Sequence, residues 1–231
     1  MQISAVFALI GGIANIVIGV ILVLDKNNRK EKNVYALFCF SVSIWLLGSY
    51  QMFVSQVDDV AIFWDRIAYL GVALIAVFMY HFSLLFSNQD DKKNGLLWLG
   101  YLLGLLFAYL SQTKYFVDGI FRYEWGVHSI AQIAHHYFLI FFVVYILLFF
   151  WNIFLVYKNE RGLRRSQAFY IFLGFSILFL GSLAFLPAYQ IPTLPIAYFA
   201  EIIGATIIAF AILRYRFMDI SFVVGRGFIY F

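Results

Sequence analysis

The run from Ser166 to Ala200, SQAFYIFLGFSILFLGSLAFLPAYQIPTLPIAYFA, holds no Asp, Glu, Lys or Arg, and its reading decides how many times the chain crosses a membrane. A helix needs about 20–25 residues to span the hydrocarbon core, so the run is too long for one ordinary crossing. Pro187, Pro192 and Pro195 fall in its second half, where a ring without an N–H favours a turn over a continuous helix. The run therefore divides between two spans, the second extended past Glu201 by the charge-free Ile202–Leu213.

Outward from this run, charge-free stretches mark the other spans: Met1–Leu24, Asn33–Val57, Ile67–Gln89, Asn94–Thr113 and Trp125–Tyr157. The pattern predicts an all-α polytopic bundle of seven transmembrane helices near 3–24, 33–55, 62–87, 95–111, 130–157, 167–186 and 196–214. Composition agrees. The 231 residues are 64% hydrophobic and 12% charged, with mean hydropathy +0.89, far from a soluble domain. Seven spans use nearly the whole chain, which leaves no room for a catalytic domain of ordinary size. Cys39 is the single cysteine, so no intrachain disulfide forms, and no Cys/His set has zinc-ligand spacing. The net charge of +4 comes from separated basic clusters, an orientation signal rather than a nucleic-acid stripe.

Thirteen of the sixteen basic residues follow helices one, three, five and seven: Lys26, Arg29, Lys30 and Lys32; Lys92 and Lys93; Lys158, Arg161, Arg164 and Arg165; Arg214, Arg216 and Arg226. Cytoplasmic loops carry such an excess, which places the N-terminus outside and the C-terminus inside the cell (inner) membrane. The first lysine is Lys26, so helix one lacks the positive charge ahead of a signal peptide and reads as a retained span. The longest outer connection, Ser111–Ser129, mixes aromatics with both charge signs and suits a short lid at the interface or an ordinary connecting loop.

Ionisable side chains at membrane depth are costly, and each is a candidate site. Asp65 and Arg66 on helix three, His135 and His136 on helix five, and Glu201 on helix seven share the outer leaflet. They point to a hydrated or ligand-lined cavity between those helices, with Arg66 paired to Glu201 or Asp65, or else to a structural ion pair with histidines near the headgroups. His135, His136 and Glu201 form a set able to titrate near neutrality. Adjacent histidines diverge by about 100° on a helix, so they do not share a metal, and no metal or cofactor is expected. His81 reads as a packing residue against helix two or seven. Gly100 and Gly104 present a Gly-x-x-x-Gly face for close helix approach or a dimer contact.

All seven lysines, Lys26, Lys30, Lys32, Lys92, Lys93, Lys114 and Lys158, fall in loops, which excludes a retinal Schiff base. No internal repeat suggests a transporter, and no nucleophile, base or metal set assembles a catalytic centre.

Four segments, Asn33–Trp45, Trp64–Gly71, Tyr80–Phe86 and Arg165–Gly174, together with the exit Ala209–Ile220, make the chain resemble the seven-helix N-terminal sensor region of bacterial histidine kinases. The resemblance implies a sensor of 1–213 and a cytoplasmic juxtamembrane linker of 214–231, cut before the output domains. It implies signal output through Arg214, Arg216 and Asp219, a homodimer in the lipid bilayer, and a cytoplasmic kinase or other output partner. The stimulus is an unidentified small molecule or proton, no nucleic acid is involved, and the chain alone is catalytically silent. A small-solute or proton transporter, with the polar cluster as its path, is the competing class. A path must continue inward, and the inner half offers chiefly His81, which favours the sensor.

Overall fold

The computed structural model describes residues 3–25, 29–89, 94–193 and 196–215, with side chains through Ile208 in the last stretch. The order is α1 (Ile3–Leu24), α2 (Lys30–Val54), α3 (Asp58–Phe86), α4 (Asn94–Leu110), β1 (Val117–Tyr123), β2 (Gly126–Ala131), α5 (Ile133–Asn159), α6 (Gly162–Phe179) and α7 (Ile196–Tyr215). A 3₁₀ helix, Leu180–Tyr189, continues α6. By length and composition, α1, α2, α3, α5 and the α6 continuum are apolar enough to cross a membrane, while α4 and the described Ile196–Ile208 of α7 are shorter apolar helices.

Helix α3 is the most buried of the apolar helices long enough to cross a membrane: 83% of its most apolar stretch is buried, against 33% for α1 and 28% for the α6 continuum. Apolar side chains gain nothing by leaving lipid for protein, so close packing must come from small residues that let backbones approach. Gly48 on α2 lies over Ala68 on α3, and Gly71 on α3 leaves no room for a Cβ against the Ser41 carbonyl. These two glycines fix the α2–α3 seam, the most extensive helix contact in the chain. The helices close a ring in the order α1, α2, α3, α5, α6 and α7, and α4 stands outside it against α3 and α5. Gly100 and Gly104 serve this internal contact. Gly100 faces the Tyr145 ring and Gly104 faces Leu74 and the Ala73 carbonyl, so both are occupied within the chain and the close helix approach is the use the fold makes of them.

The proline-rich turn falls where the sequence places it, but the α-helix stops earlier, at Phe179. Pro187 lies inside the ten-residue 3₁₀ stretch that follows. It has no N–H to extend an α ladder, and its ring crowds the preceding turn. Gln190 then turns left-handed at φ +60°, and its N–H donates to the Pro187 carbonyl at 2.9 Å.

The Ser111–Ser129 connection is more ordered than a loop. β1 and β2 pair antiparallel with Tyr123 opposite Gly126, leaving Glu124 and Trp125 as the turn. A bulge interrupts the register between Asp118 and Ile120, at Gly119, whose φ of +71° suits a residue without a Cβ. The hairpin lies across one end of the bundle. The Ser4 hydroxyl of α1 donates to the Trp125 carbonyl, Trp125 meets Phe53 of α2 edge-on, and Tyr123 donates to the Pro187 carbonyl at 2.7 Å. Burial raises the Tyr123 phenol above its ordinary value, so it remains a donor at neutral pH.

Candidate functional site

Asp65 stands two turns into α3 and is buried beneath the hairpin. The Ser129 hydroxyl of β2 donates to its carboxyl group, and His128, also buried, lies beside it. Asp65 and His128 line a cavity of about 10 Å³ with Trp45, Ser49 and Tyr69. Arg66 pairs with neither acid expected of it. Its Nη2 donates to the Val117 carbonyl at 3.0 Å, while its own carbonyl accepts from Gln112 at 2.9 Å. Successive residues on a helix point about 100° apart, so Asp65 faces β2 while Arg66 reaches β1.

His135 is fully buried at the start of α5. Its Nε2 lies 2.9 Å from the Tyr69 hydroxyl on α3, and its Nδ1 lies 2.8 Å from the Tyr189 hydroxyl at the end of the 3₁₀ stretch. A neutral imidazole satisfies both tyrosines in either tautomer, donating to one and accepting from the other. His136 turns outward and is exposed, and its Nδ1 donates to the Gln132 carbonyl at 3.1 Å. The two histidines therefore belong to different environments.

Glu201 is buried on α7, and Asn15 of α1 donates to its Oε1 at 3.3 Å. The same Asn15 amide also reaches the Gly11 carbonyl at 2.9 Å. Glu201 lines a cavity of about 50 Å³ between α2, α3, α5, the α6 continuum and α7. Trp45, Val72 and Phe185 line this cavity and the smaller one beside Asp65, so they form a shared wall.

The five sequence candidates thus occupy one end of the bundle but not one pocket. Asp65 shares its cavity with Tyr69, which bonds His135; Glu201 lies across the wall, Arg66 serves the hairpin, and His136 faces outward. Among the described residues no three His, Cys, Asp or Glu side chains come together as a metal site. His81, expected against helix two or seven, is bonded to α4. Its Nδ1 lies 2.7 Å from the Tyr101 hydroxyl of α4. Lys30 and Lys32 sit in the first turn of α2 rather than in a loop, and Lys32 is buried against Asp25, at 3.0 Å. The side chain of Arg214, and Arg216 and Asp219 entirely, lie outside the described residues.

Sequence reasoning missed Asn15, Tyr69, His128 with Ser129, and Tyr189 as partners. Asn15 had a signal, since an amide in the middle of an apolar span is costly without a bond. The tyrosines had none in a chain with sixteen of them.

The sequence model of the family described as the N-terminal 7TM region of histidine kinase matches residues 7–221. The chain belongs to that family. Among curated proteins none matches it. As a histidine kinase 7TM region it is a multi-pass membrane segment of a signalling protein, set in the lipid bilayer. The segments that carry the resemblance build the α2–α3 seam: Asn33–Trp45 and Trp64–Gly71 meet at the Gly71–Ser41 contact. Arg165–Gly174 brings Gly174 against Ile208 of α7, where Gly204 returns the close approach against Leu178. These segments therefore bear on the spacing of the last helix as well as on the seam.

Proposed function

We propose that this 7TM region is the input part of a histidine-kinase-type protein in the cell's inner membrane, with its N-terminus outside. A stimulus received at the hairpin end passes through α7 and the segment holding Arg214, Arg216 and Asp219 to a cytoplasmic output domain. Phosphotransfer belongs to that domain, and the region works as a homodimer. One observation carries the reading: Asp65, His135 and Glu201 each bond across two elements, joining α3 to β2, α5 to α3 and the 3₁₀ stretch, and α7 to α1. Changing any of these bonds alters how the helices sit at the root of α7, and a shift of about 1–2 Å is the size seen when helices move at interfaces. A stimulus acts by favouring one such packing over another.

The test joins the region at Phe231 to a dimeric histidine-kinase core in liposomes and follows autophosphorylation as external pH is stepped from 5 to 8. The expected result is a pH response that disappears in Glu201→Gln, and in His135→Ala through loss of the bonds to Tyr69 and Tyr189. No response in the fusion, together with proton or solute flux through the region alone, overturns the sensor in favour of transport.

A further inference from the structure

The cavity at Glu201 is an unusual combination of an apolar chamber and one carboxyl group. Its other walls come from Phe38, Val42, Ile75, Met79, Phe142 and their neighbours. A dry apolar cavity in a bundle is ordinary, and a buried acid bonded on all sides is ordinary, but here the acid is only partly served. Ionised, a carboxylate offers about four acceptor positions, and the donor recorded for Glu201 is the Asn15 amide on Oε1, at a long 3.3 Å. The remaining oxygen belongs to a side chain that faces the chamber.

The cavity wall includes residues at the surface of the bundle. Glu201 is 3% exposed while Phe179, on the same cavity wall, is 37% exposed. Ser182, near Phe179, also lines the cavity, and its hydroxyl is turned back to the Phe179 carbonyl at 2.7 Å. Phe179 and Ser182, on the α6 continuum, are thus the side of the wall nearest the surface, and the carboxyl group on α7 is its buried side. The cavity volume of about 50 Å³ is roughly a third of the 150 Å³ apolar cavity known to admit benzene. A whole drug-sized molecule does not fit. A polar head and the first few carbons of a chain do, with the rest of the chain left in the bilayer.

We propose that this cavity binds a lipid-borne molecule consisting of an apolar chain and a single hydrogen-bond-donating head, hydroxyl or ammonium, which enters between Phe179 and Ser182 and bonds to Glu201. The apolar walls select a molecule already dissolved in the membrane, and the carboxyl group selects one that carries an N–H or O–H. An occupant touches the 3₁₀ stretch on one side and α7 on the other. It deepens the sensor reading by naming a stimulus class, and it rests on that reading only for the consequence of binding.

Binding is measured on the chain alone in nanodiscs, with Trp64, Trp98, Trp125 and Trp151 replaced by Phe so that Trp45, in the cavity wall, is the only tryptophan. The probes are 1-decanol, decylamine and decyl methyl ether, the last having a similar chain and no donor. Decanol or decylamine is expected to shift Trp45 emission saturably, with half-effect at a membrane mole fraction at least tenfold below that of the ether. Glu201→Leu is expected to bring the donor probe to the level of the ether, and Ser182→Phe, on the surface side of the wall, to remove the saturable response to all three. If the single-tryptophan chain does not fold, the unfolding temperature of the unmodified chain and of Glu201→Leu with each probe gives the same comparison. Equal responses to donor probes and ether, a donor response that survives Glu201→Leu, or no saturable response overturns the proposal. Because nothing here depends on phosphorylation, failure of binding and failure of the sensor reading are separately visible.

Discussion

The two ends of the bundle are both tied by polar side chains, yet the ties differ in kind. At the end away from the hairpin, Lys32 is held by the Asp25 carboxylate and by the Asp25 carbonyl at 2.7 Å, and Arg164 donates to the Phe86 carbonyl while its guanidinium lies 4.0 Å from the Phe86 ring centroid. Rings from four helices pack just above: Phe175 meets Phe38 at 5.4 Å, Phe149 at 4.7 Å and Phe82 at 6.2 Å. At the hairpin end there are backbone ties too, such as Arg66 to the Val117 carbonyl, but Asp65 and His135 are tied through serine and tyrosine hydroxyls that can rotate to a new partner. A carbonyl only accepts, whereas a hydroxyl can exchange donor for acceptor. One end is built to hold position and the other to change partners.

The largest expected effect breaks the holding end. Asp25→Ala leaves Lys32 buried without its counter-ion and should lower stability by about 3–5 kcal/mol, seen as earlier unfolding on titration with a denaturing detergent. If the ends differ as described, any surviving folded protein in the kinase fusion keeps its pH response. A smaller loss is expected at the adjustable end: His135→Phe fills the same space but strands the hydroxyls of Tyr69 and Tyr189, costing about 1–3 kcal/mol and abolishing the response. Loss of the response with little loss of stability would sharpen the contrast; an intact response would end it. The smallest effect belongs to His136→Ala. An exposed side chain that meets the network only at the edge of the Tyr189 ring should change stability by less than about 0.5 kcal/mol and leave the phosphorylation profile unchanged, separating two neighbours that the sequence treats as a pair.

The spans were legible because charges are sparse and a hydrocarbon layer tolerates few of them, so each helix start lies within about five residues of its reading. The acids and histidines were legible for the same reason, as costs that need a purpose. What each side chain faces was not. A helix apolar all round carries no stripe to reveal its rotation, so Arg66 looked able to meet Glu201 or Asp65 and instead meets the hairpin; α7 packs chiefly on α6, the 3₁₀ stretch and α1. The hairpin was hidden differently. Val117–Tyr123 and Gly126–Ala131 are rich in aromatic and β-branched residues around a two-residue turn, but Glu124–Trp125 lacks the Asn-Gly or Asp-Gly pair that usually announces one.

The 3₁₀ stretch between α6 and α7 is also a store of length and rotation. A 3₁₀ helix rises about 2.0 Å and turns about 120° per residue, against about 1.5 Å and 100° for an α-helix. Each residue that passes from one form to the other shortens the stretch by about 0.5 Å and unwinds it by about 20°. Leu180 to Ser182 lie more than four residues ahead of Pro187 and can convert without calling on its missing N–H. Two of them suffice to draw the root of α7 by about 1 Å and swing it by about 40°, so the linker acts as a screw whose pitch the neighbouring side chains set.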